Sequence, residues 1–488
     1  MPKELTLDPL DWAQLRALGH RMLDDTLNRL ENVREEPVWQ PMPADLLADF
    51  QRPLPRTGTG IEHAYAEFVD KVAPYPLGNT HPRFWGWVIG SGTPFGALAE
   101  MVAAGFNANV SGLRSGAVPV EDQVIDWLKE LLGYPATASG ILTSGGSMAN
   151  ILGVAVGLDA TAGFDLAEHG LAAAPKRLVL YASQETHFSI DKAVRLLGLG
   201  RSAYRKLPVD ARYRIDIQAL AAASAADRAA GLQPFLVVGN AGTVSTGACD
   251  DLDGLADLCE AEGLWLHVDG AFGAFAATVP ELRPLVRGME RADSLGFDLH
   301  KWLHVPIEAA CLLVRNAEAH RQAFSVRAGC YVSSFERGIA QDLMRFAERG
   351  PQLTRGFRAL KIWMTLQAYG ADLHADLIAQ NVAQARRLEA MIAERAELEL
   401  LAPVDLNIVC YRYRGARTDD SGLDQLNREL LMRLQERGIA APSSTSLHGR
   451  FAIRVCIANH RTRQEDLEVL VEKSIELGGE IEAEPRPR

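Results

Sequence analysis

The sequence contains few cysteines, and their arrangement excludes two kinds of structure. Six cysteines are scattered over 488 residues, and no two of them form a Cys-x-x-Cys pair. A disulfide framework needs a dense cysteine pattern, and a thiolate zinc site needs closely spaced pairs. We therefore expect free thiols, a reducing cytoplasmic environment and no metal bound by cysteine.

Long apolar runs and blocks of positive charge are also missing. No uncharged apolar stretch reaches the length of about twenty residues that a membrane-spanning helix needs. The formal net charge is −12, and a basic surface for nucleic acid or anionic lipid is not expected. The first residues, MPKELTLDPLDW, lack the pattern of a secretion signal. We expect a cytoplasmic protein that binds neither nucleic acid nor membrane.

What the sequence does contain is an alternation of short apolar runs with helical segments. Runs typical of buried strands occur at 177–183, 234–242, 264–273 and 309–315. Segments rich in Ala, Leu and Glu separate these runs. This alternation predicts an α/β fold with a mostly parallel sheet covered by helices.

A glycine-rich segment precedes one of the predicted helices. In LTSGGSMANI (142–151), two glycines let backbone N–H groups approach an anion, and the start of a helix favours negative charge. The lysine of a nucleotide-binding P-loop is absent. The segment is either a phosphate cradle or a glycine-rich helix cap.

Ionisable side chains stand at the ends of the predicted strands. Asp269 ends one apolar run, His300 and Lys301 end another, and His187 follows a third. A lysine in such a place is either paired or reactive, and we expect Lys301 to be buried in apolar surroundings. A cradle, a carboxylate, an amine and an imidazole together match the needs of pyridoxal 5'-phosphate (PLP). Its phosphate, ring nitrogen, aldehyde and ring face each require one of these groups.

The order of these motifs resembles the group II PLP-dependent amino acid decarboxylases, which include enzymes for aromatic amino acids, histidine and glutamate. The segments that carry the resemblance are HVDGAFG, DSLGFDLHKW, RGFRALKIWMTLQAYG and FAIRVCIANHRT. The N-terminal region is most similar to the aromatic-amino-acid branch. The resemblance implies fold type I with a seven-stranded sheet and a homodimer with shared active sites. It divides the chain into an N-terminal helical dimerisation segment (1–90), a large PLP-binding domain (91–372) and a small C-terminal α+β domain (373–488).

The resemblance also assigns roles to individual positions. It implies that Lys301 forms a Schiff base with PLP, that Asp269 holds the pyridine nitrogen and that His187 stacks on the ring. The other implied cofactor contacts are Gly146, Ser147, Thr243, Ala271 and His300. The implied activity is decarboxylation of an aromatic L-amino acid to the amine and carbon dioxide.

One position departs from the family pattern. Relatives in the aromatic branch carry a tyrosine on a mobile loop, and this tyrosine supplies a proton after carbon dioxide leaves. Phe346 stands at the corresponding place in DLMRFAERG (342–350) and has no hydroxyl group. In plant relatives, phenylalanine here accompanies oxidative deamination to an aldehyde. Tyr331 and His187 are alternative proton donors, so both reactions stay open.

The residues that would contact the substrate are less clearly marked. Trp87, beside Phe84 and Trp85, matches a region that lines the substrate side chain in relatives, and core packing is the alternative interpretation. Asn109 makes a second such stretch more polar than in the aromatic enzymes. Arg454, on a predicted strand, either meets a carboxylate or forms a structural ion pair.

Two other protein classes are alternatives to the decarboxylase. A metal-dependent hydrolase would use His267 and Asp269 together with His300 and His304, which are four residues apart. That hypothesis explains neither the cradle nor Lys301. A non-catalytic protein of the same fold is disfavoured because the predicted lysine, aspartate and histidine are all retained.

Overall fold

The computed structural model of the protein describes residues 4–325, 335–341, 344–415 and 420–484. The first part of the described chain is a helical segment. Its elements are α1 (Trp12–Asn32), α2 (Ala44–Asp49), α3 (Ile61–Lys71) and the short strand β1 (Phe84–Trp85). The α1 helix begins where it does because the Asp11 side chain accepts hydrogen bonds from the first free backbone N–H groups. Apolar side chains of this segment are exposed, among them Trp12 and Phe68.

The centre of the molecule is a seven-stranded sheet. Its elements in chain order are α4 (Pro94–Phe106), α5 (Ala117–Leu131), β2 (Ser139–Thr143), α6 (Gly146–Thr161), α7 (Leu166–His169), β3 (Leu178–Ser183), α8 (Ser189–Leu196), β4 (Tyr204–Leu207), α9 (Ile217–Ala229), β5 (Gln233–Asn240), α10 (Leu252–Glu262), β6 (Trp265–Asp269), β7 (Ser294–Asp298), α11 (Leu299–Trp302), β8 (Ala310–Val314) and α12 (Ala317–Phe324). The strand order is β2-β8-β7-β6-β5-β3-β4, and only β8 runs antiparallel to its neighbours. The predicted mostly parallel seven-stranded sheet is confirmed.

Helices cover both faces of this sheet, which explains why its strands are apolar along their whole length. Neighbouring residues of one strand, such as Leu236 and Val237, belong to separate core clusters on opposite faces. On β6, Trp265, His267 and Asp269 share one face because strand side chains alternate. That face is covered by α6.

A smaller sheet forms the C-terminal part of the chain. The elements here are α13 (Ala359–Ala393), β9 (Leu398–Leu400), β10 (Ile408–Tyr413), α14 (Asp420–Glu436), β11 (Ala441–Leu447), β12 (Arg450–Cys456) and α15 (Gln464–Ala483). The α13 helix is interrupted at Gly370, where φ is 76°. The predicted domain boundary at 372 falls just after this break, and the division into three domains stays a prediction.

The C-terminal sheet takes one strand from the N-terminal segment. Its order is β1-β11-β12-β10-β9, and β1 pairs in parallel with β11 through Phe84–Ala441 and Trp85–Pro442. Phe84 and Trp85 are therefore core residues, as the packing alternative predicts. Within the described ranges, no helix has the length and apolar character needed to cross a membrane.

Candidate active site

The candidate site lies where the carboxyl ends of β6 and β7 meet the start of α6. Asp269 ends β6, and Asp298 ends the neighbouring parallel strand β7. The backbone N–H of Gly146, at the start of α6, donates to Asp298 Oδ1 at 2.6 Å. Ligands of open α/β sheets bind at this edge, and the free N–H groups of a helix start favour anions.

Lys301 is held in this corner by an ion pair. Its Nζ lies 2.7 Å from Asp298 Oδ2, and 20% of the lysine side chain is exposed. The four-residue helix α11 brings the lysine back over the carboxylate that ends β7. The expectation of apolar surroundings is therefore wrong, because a buried lysine needs a partner and the preceding strand supplies one.

Asp269 is buried and accepts two hydrogen bonds. Asn150 Nδ2 donates to Oδ2 at 2.8 Å, and the Ala271 N–H donates to Oδ1 at 3.1 Å. Only 5% of Asp269 is exposed. Both protein contacts are donors, so the carboxylate keeps free lone pairs for a further donor from the site.

His187 lies close to both aspartates and to the lysine. Burial is the main influence on this imidazole and lowers its pKa below the ordinary value, while the negative charge of Asp269 acts in the opposite direction. The nearby charges of Lys301 and Asp298 also act on it. The ring is therefore neutral at pH 7, and the structure brings the four predicted groups together.

The remaining predicted cofactor contacts differ in burial and in the groups that they contact. Ala271 lies between the two aspartates, since its N–H donates to Asp269 and its carbonyl accepts from the Asp298 N–H at 3.0 Å. His300 contacts the Ala309 backbone through Nδ1, and burial lowers its pKa. Ser147 is half-buried in the first turn of α6. The remaining residue of this set, Thr243, is buried in a turn where its hydroxyl contacts that of Thr246.

Three residues of the site are missed by the sequence analysis. Asp298 ends a strand as Asp269 does, so the same sequence pattern could have identified it. Asn150 lies within the glycine-rich segment, but nothing in the sequence shows that it reaches β6. Gly90 permits a close approach, because a Cβ there would lie 2.0 Å from the His300 carbonyl oxygen and 2.4 Å from that of Lys301.

Trp87 and Arg454 adjoin each other at the junction with the C-terminal sheet. Trp87 is 56% exposed, and its carbonyl accepts from Arg454 Nη1 at 2.8 Å. Arg454 is buried and also contacts Ser245 and Ser443, whereas no ion pair of Arg454 occurs in the described part of the chain. The structural ion pair considered for this arginine is therefore not found there. Asn109 Oδ1 accepts from the Arg355 N–H at 3.0 Å.

Phe346 lies in the core of its own chain. Its ring is fully buried, with the guanidinium carbons of Arg355 and Arg349 5.0 and 5.3 Å from the ring centre. Its backbone N–H donates to the Ser111 carbonyl at 3.0 Å. The catalytic role inferred for this position stays a prediction. Tyr331 lies outside the described residues.

The geometry does not favour the metal-dependent hydrolase. Both ring nitrogens of His267 are engaged, Nδ1 with Ser294 Oγ and Nε2 with Asn150 Oδ1. Among the residues that the structure describes, no three His, Cys, Asp or Glu side chains are arranged to hold a metal ion. His267 is thus a hydrogen-bonded core residue beside Asp269.

Comparisons with known proteins identify the family to which the chain belongs. The family model "Pyridoxal-dependent decarboxylase conserved domain" matches residues 47–414. An aromatic-L-amino-acid decarboxylase of Bacillus atrophaeus is 32% identical over 476 residues, covering 96% of both chains. A phenylacetaldehyde synthase of Arabidopsis thaliana is 28% identical, covering 94% of both. The crystal structure of Oryza sativa TDC with PLP and tryptamine has a TM-score of 0.89 and 26% identity, covering 98% of this chain and 100% of that one. The chain therefore belongs to the pyridoxal-dependent decarboxylases, lyases that use PLP as their cofactor.

Proposed function

We propose that this enzyme converts an aromatic L-amino acid to the corresponding amine and carbon dioxide. The observation that carries the proposal is the convergence of Lys301 with Asp269, His187 and the start of α6 at one edge of the sheet. The named activity of the Bacillus atrophaeus relative supports the aromatic class. The exposed ring of Trp87 offers a surface on which an aromatic side chain can pack.

The residues present fit the cofactor. When bound, PLP supplies an electron sink for the carbon that loses its carboxylate. Lys301 would bind the aldehyde and Asp269 the pyridine nitrogen. Gly146 and Ser147, at the start of α6, would bind the phosphate, and the Gly146 N–H would then exchange its hydrogen bond to Asp298 for one to the phosphate.

His187 is proposed to hold a proton beside the substrate. Its Nδ1 accepts from the Ser189 N–H at 3.3 Å, so the proton of the neutral ring lies on Nε2. A neutral ring can stack on the cofactor and donate one proton from a fixed atom. This role does not require a hydroxyl group at position 346.

Arg454 is proposed to hold the substrate carboxylate or to fix Trp87 against it. The guanidinium is buried, and its Nη2 has no hydrogen-bond partner among the described residues. A buried donor of this kind is costly unless a ligand or water satisfies it. The adjoining Trp87 carbonyl links the arginine to the proposed aromatic surface.

The direct test is a screen of the PLP-loaded enzyme against the common L-amino acids. Carbon dioxide, oxygen consumption and hydrogen peroxide are followed together. We expect carbon dioxide and amine from aromatic substrates, without oxygen consumption. Because the Phe346 side chain has no hydroxyl proton to donate, aldehyde formation is the second candidate, and it would appear as oxygen loss matching carbon dioxide release. The absence of carbon dioxide with every amino acid would refute both.

A homodimer with shared active sites is also proposed. Large apolar side chains are exposed on the N-terminal helices and on α4, including Trp12 at 56%, Phe68 at 47% and Phe106 at 74%. Exposed apolar surface of this extent is typical of an interface. Light scattering should give twice the chain mass, and a fully active monomer would contradict the proposal.

A cytoplasmic location is proposed as well. The described cysteines are free and buried, which supports it.

A further inference from the structure

A chain of five buried side chains leads through the protein to Asp269. It links Trp265 Nε1 to Ser294 Oγ at 2.8 Å, Ser294 Oγ to His267 Nδ1 at 2.8 Å, and His267 Nε2 to Asn150 Oδ1 at 3.1 Å. The last link joins Asn150 Nδ2 to Asp269 Oδ2 at 2.8 Å. All five residues are at most 7% exposed. Water therefore does not compete for these hydrogen bonds.

The chemistry of the groups fixes the direction of every hydrogen bond. The Asp269 carboxylate only accepts, so Asn150 turns its Nδ2 to Asp269 and its Oδ1 to His267 Nε2. Nε2 must therefore carry the ring proton, and Nδ1 accepts from the Ser294 hydroxyl, whose oxygen accepts from the Trp265 indole. Burial lowers the pKa of His267 to about 3, which leaves the ring neutral. With Nδ1 accepting, the ring proton lies on Nε2 and is donated to Asn150 Oδ1. The Asn150 amide nitrogen then donates to Asp269.

The packing between α6 and β6 leaves room for this chain. Asn150, Gly153 and Gly157 on α6 face Asp269, His267 and Trp265 on β6, respectively. A Cβ at Gly153 would lie 2.4 Å from His267 Cε1, and one at Gly157 would lie 2.8 Å from Trp265 Cδ1. On the adjoining strand β7, a Cβ at Gly296 would lie 2.8 Å from Asn150 Oδ1. Glycines are thus needed on both sides of this row of hydrogen-bonded side chains.

We propose that Asn150 and His267 are positioning residues that hold Asp269 as an oriented hydrogen-bond acceptor for the pyridine nitrogen of the cofactor. This inference rests on the proposed role of Asp269. Asn150 occupies Oδ2 with a donor, and the fixed tautomer of His267 keeps the amide of Asn150 from turning its oxygen toward the carboxylate. Aligned donors polarise one another, so the contacts nearest to Asp269 should matter most.

The first test replaces Asn150 in two ways. Asn150→Asp keeps the shape and, because two buried carboxylates in contact share one proton, can still donate to Asp269. Asn150→Leu removes the donor without adding charge. The control is Ser189→Ala, because Ser189 Oγ is the second acceptor of Asn150 Nδ2, at 3.0 Å, and contacts neither His267 nor Asp269 in the described structure.

The readout is the ¹⁵N chemical shift of the ring nitrogen in bound ¹⁵N-labelled PLP, recorded together with kcat and KM. We expect Asn150→Leu to move the signal toward the unprotonated position, and Asn150→Asp to move it less. We expect kcat to fall by about tenfold to a hundredfold. This is the range found when the hydrogen-bond partners of metal-binding side chains are removed. KM should change less than kcat. Ser189→Ala should leave the signal unchanged.

A second series separates this role from ordinary packing. His267→Phe keeps a ring beside Gly153, and Ser294→Ala and Trp265→Phe remove the more distant links. We expect the change in the ¹⁵N chemical shift to be largest for the Asn150 variant and to become smaller for His267, Ser294 and Trp265 in that order. If the variants acted only through loss of packing, the Trp265 variant would have the largest effect. An unchanged ¹⁵N signal in folded Asn150→Leu, or in His267→Phe if the former does not fold, would overturn the proposal. An unprotonated nitrogen in the wild type would instead refute the role of Asp269.

Discussion

The Lys301 Nζ and the Asp298 Oδ2 atoms are 2.7 Å apart, and the other Asp298 oxygen accepts the first N–H of α6. One carboxylate therefore contacts both the amine proposed to bind the cofactor aldehyde and the N–H proposed to bind its phosphate. A phosphate brought to the start of α6 must approach this negative charge. The site contains its own competitor for the cofactor.

Asp298→Asn should raise the affinity for PLP. Two like charges about 4 Å apart repel by ~4 kcal/mol at an effective dielectric constant of about 20, and relief of a third of that value corresponds to about tenfold tighter binding. Pyridoxal, which lacks the phosphate, should gain much less. Absorbance titrations of the apoenzyme with both compounds measure the difference. Weaker PLP binding by the variant would show that the carboxylate supports the cofactor instead.

Lys301→Ala should abolish the visible absorption of the PLP-loaded protein. The absorption depends on a Schiff base with Nζ, and an alanine side chain has no amine with which to form it. In the wild type, borohydride should fix the cofactor to the chain, and mass spectrometry of the digest should find it on the peptide that contains Lys301. Lys473→Ala, at a half-buried lysine of α15 that is paired with Glu476, serves as the control and should keep the colour. Full colour and activity in Lys301→Ala would contradict the assignment.

Acid should destabilise the protein through its buried histidines. Burial lowers the pKa of His81, His374 and His460 to about 4, below the ordinary value of about 6.5. The unfolded chain therefore binds more protons between pH 6.5 and 4, and stability falls as the pH drops through this window. Each such histidine should cost about 1 kcal/mol at pH 5.5 relative to pH 7.5.

His374 offers a way to test this pH dependence. Both of its ring nitrogens lack partners among the described residues, and it lies in α13. His374→Leu should raise the free energy of unfolding at pH 5.5 by more than at pH 7.5, as measured by urea denaturation at both values. An equal effect at the two values would show that His374 does not titrate on unfolding.

Gly90→Ala should weaken the contact between the N-terminal segment and α11, the short helix that carries Lys301. The added Cβ would collide with the carbonyl oxygens of His300 and Lys301, and backbone atoms cannot yield as a side-chain tip can. We expect a loss of more than about 2 kcal/mol in stability, together with faster release of PLP. Gly479→Ala, on α15, is the matched control, because nothing lies within 4 Å of its Cβ. That variant should stabilise α15 by up to about 1 kcal/mol.

The sequence predicts those parts of the fold and site that depend on local patterns. The apolar runs locate β3, β5, β6 and β8, because a strand covered on both faces must be apolar throughout. Lys301, Asp269 and His187 are recognised because each follows such a run. The pairing of Asp298 with Lys301 is different, since it depends on how sharply α11 turns back over β7.

Other features depend on contacts between segments that are far apart in the sequence. The relation of Asn150 to Asp269 follows from the register between α6 and β6, which no local pattern specifies. Phe346 sits in a segment with the composition of a loop, and only its contacts with Arg349 and Arg355 show that it is buried. The two residues of β1 are too few to show the alternation by which strands are recognised.

The parallel pairing of β1 with β11 has a consequence for the order of folding. Phe84 is synthesised long before its partner Ala441, so β1 stays without its partner strand until almost the whole chain has been made. Contacts between such distant segments are slow to form, and unpaired edges and exposed apolar helices favour aggregation in the meantime. We expect the yield of folded protein to depend on chaperones and on growth temperature, since the first strand made is among the last to find its place.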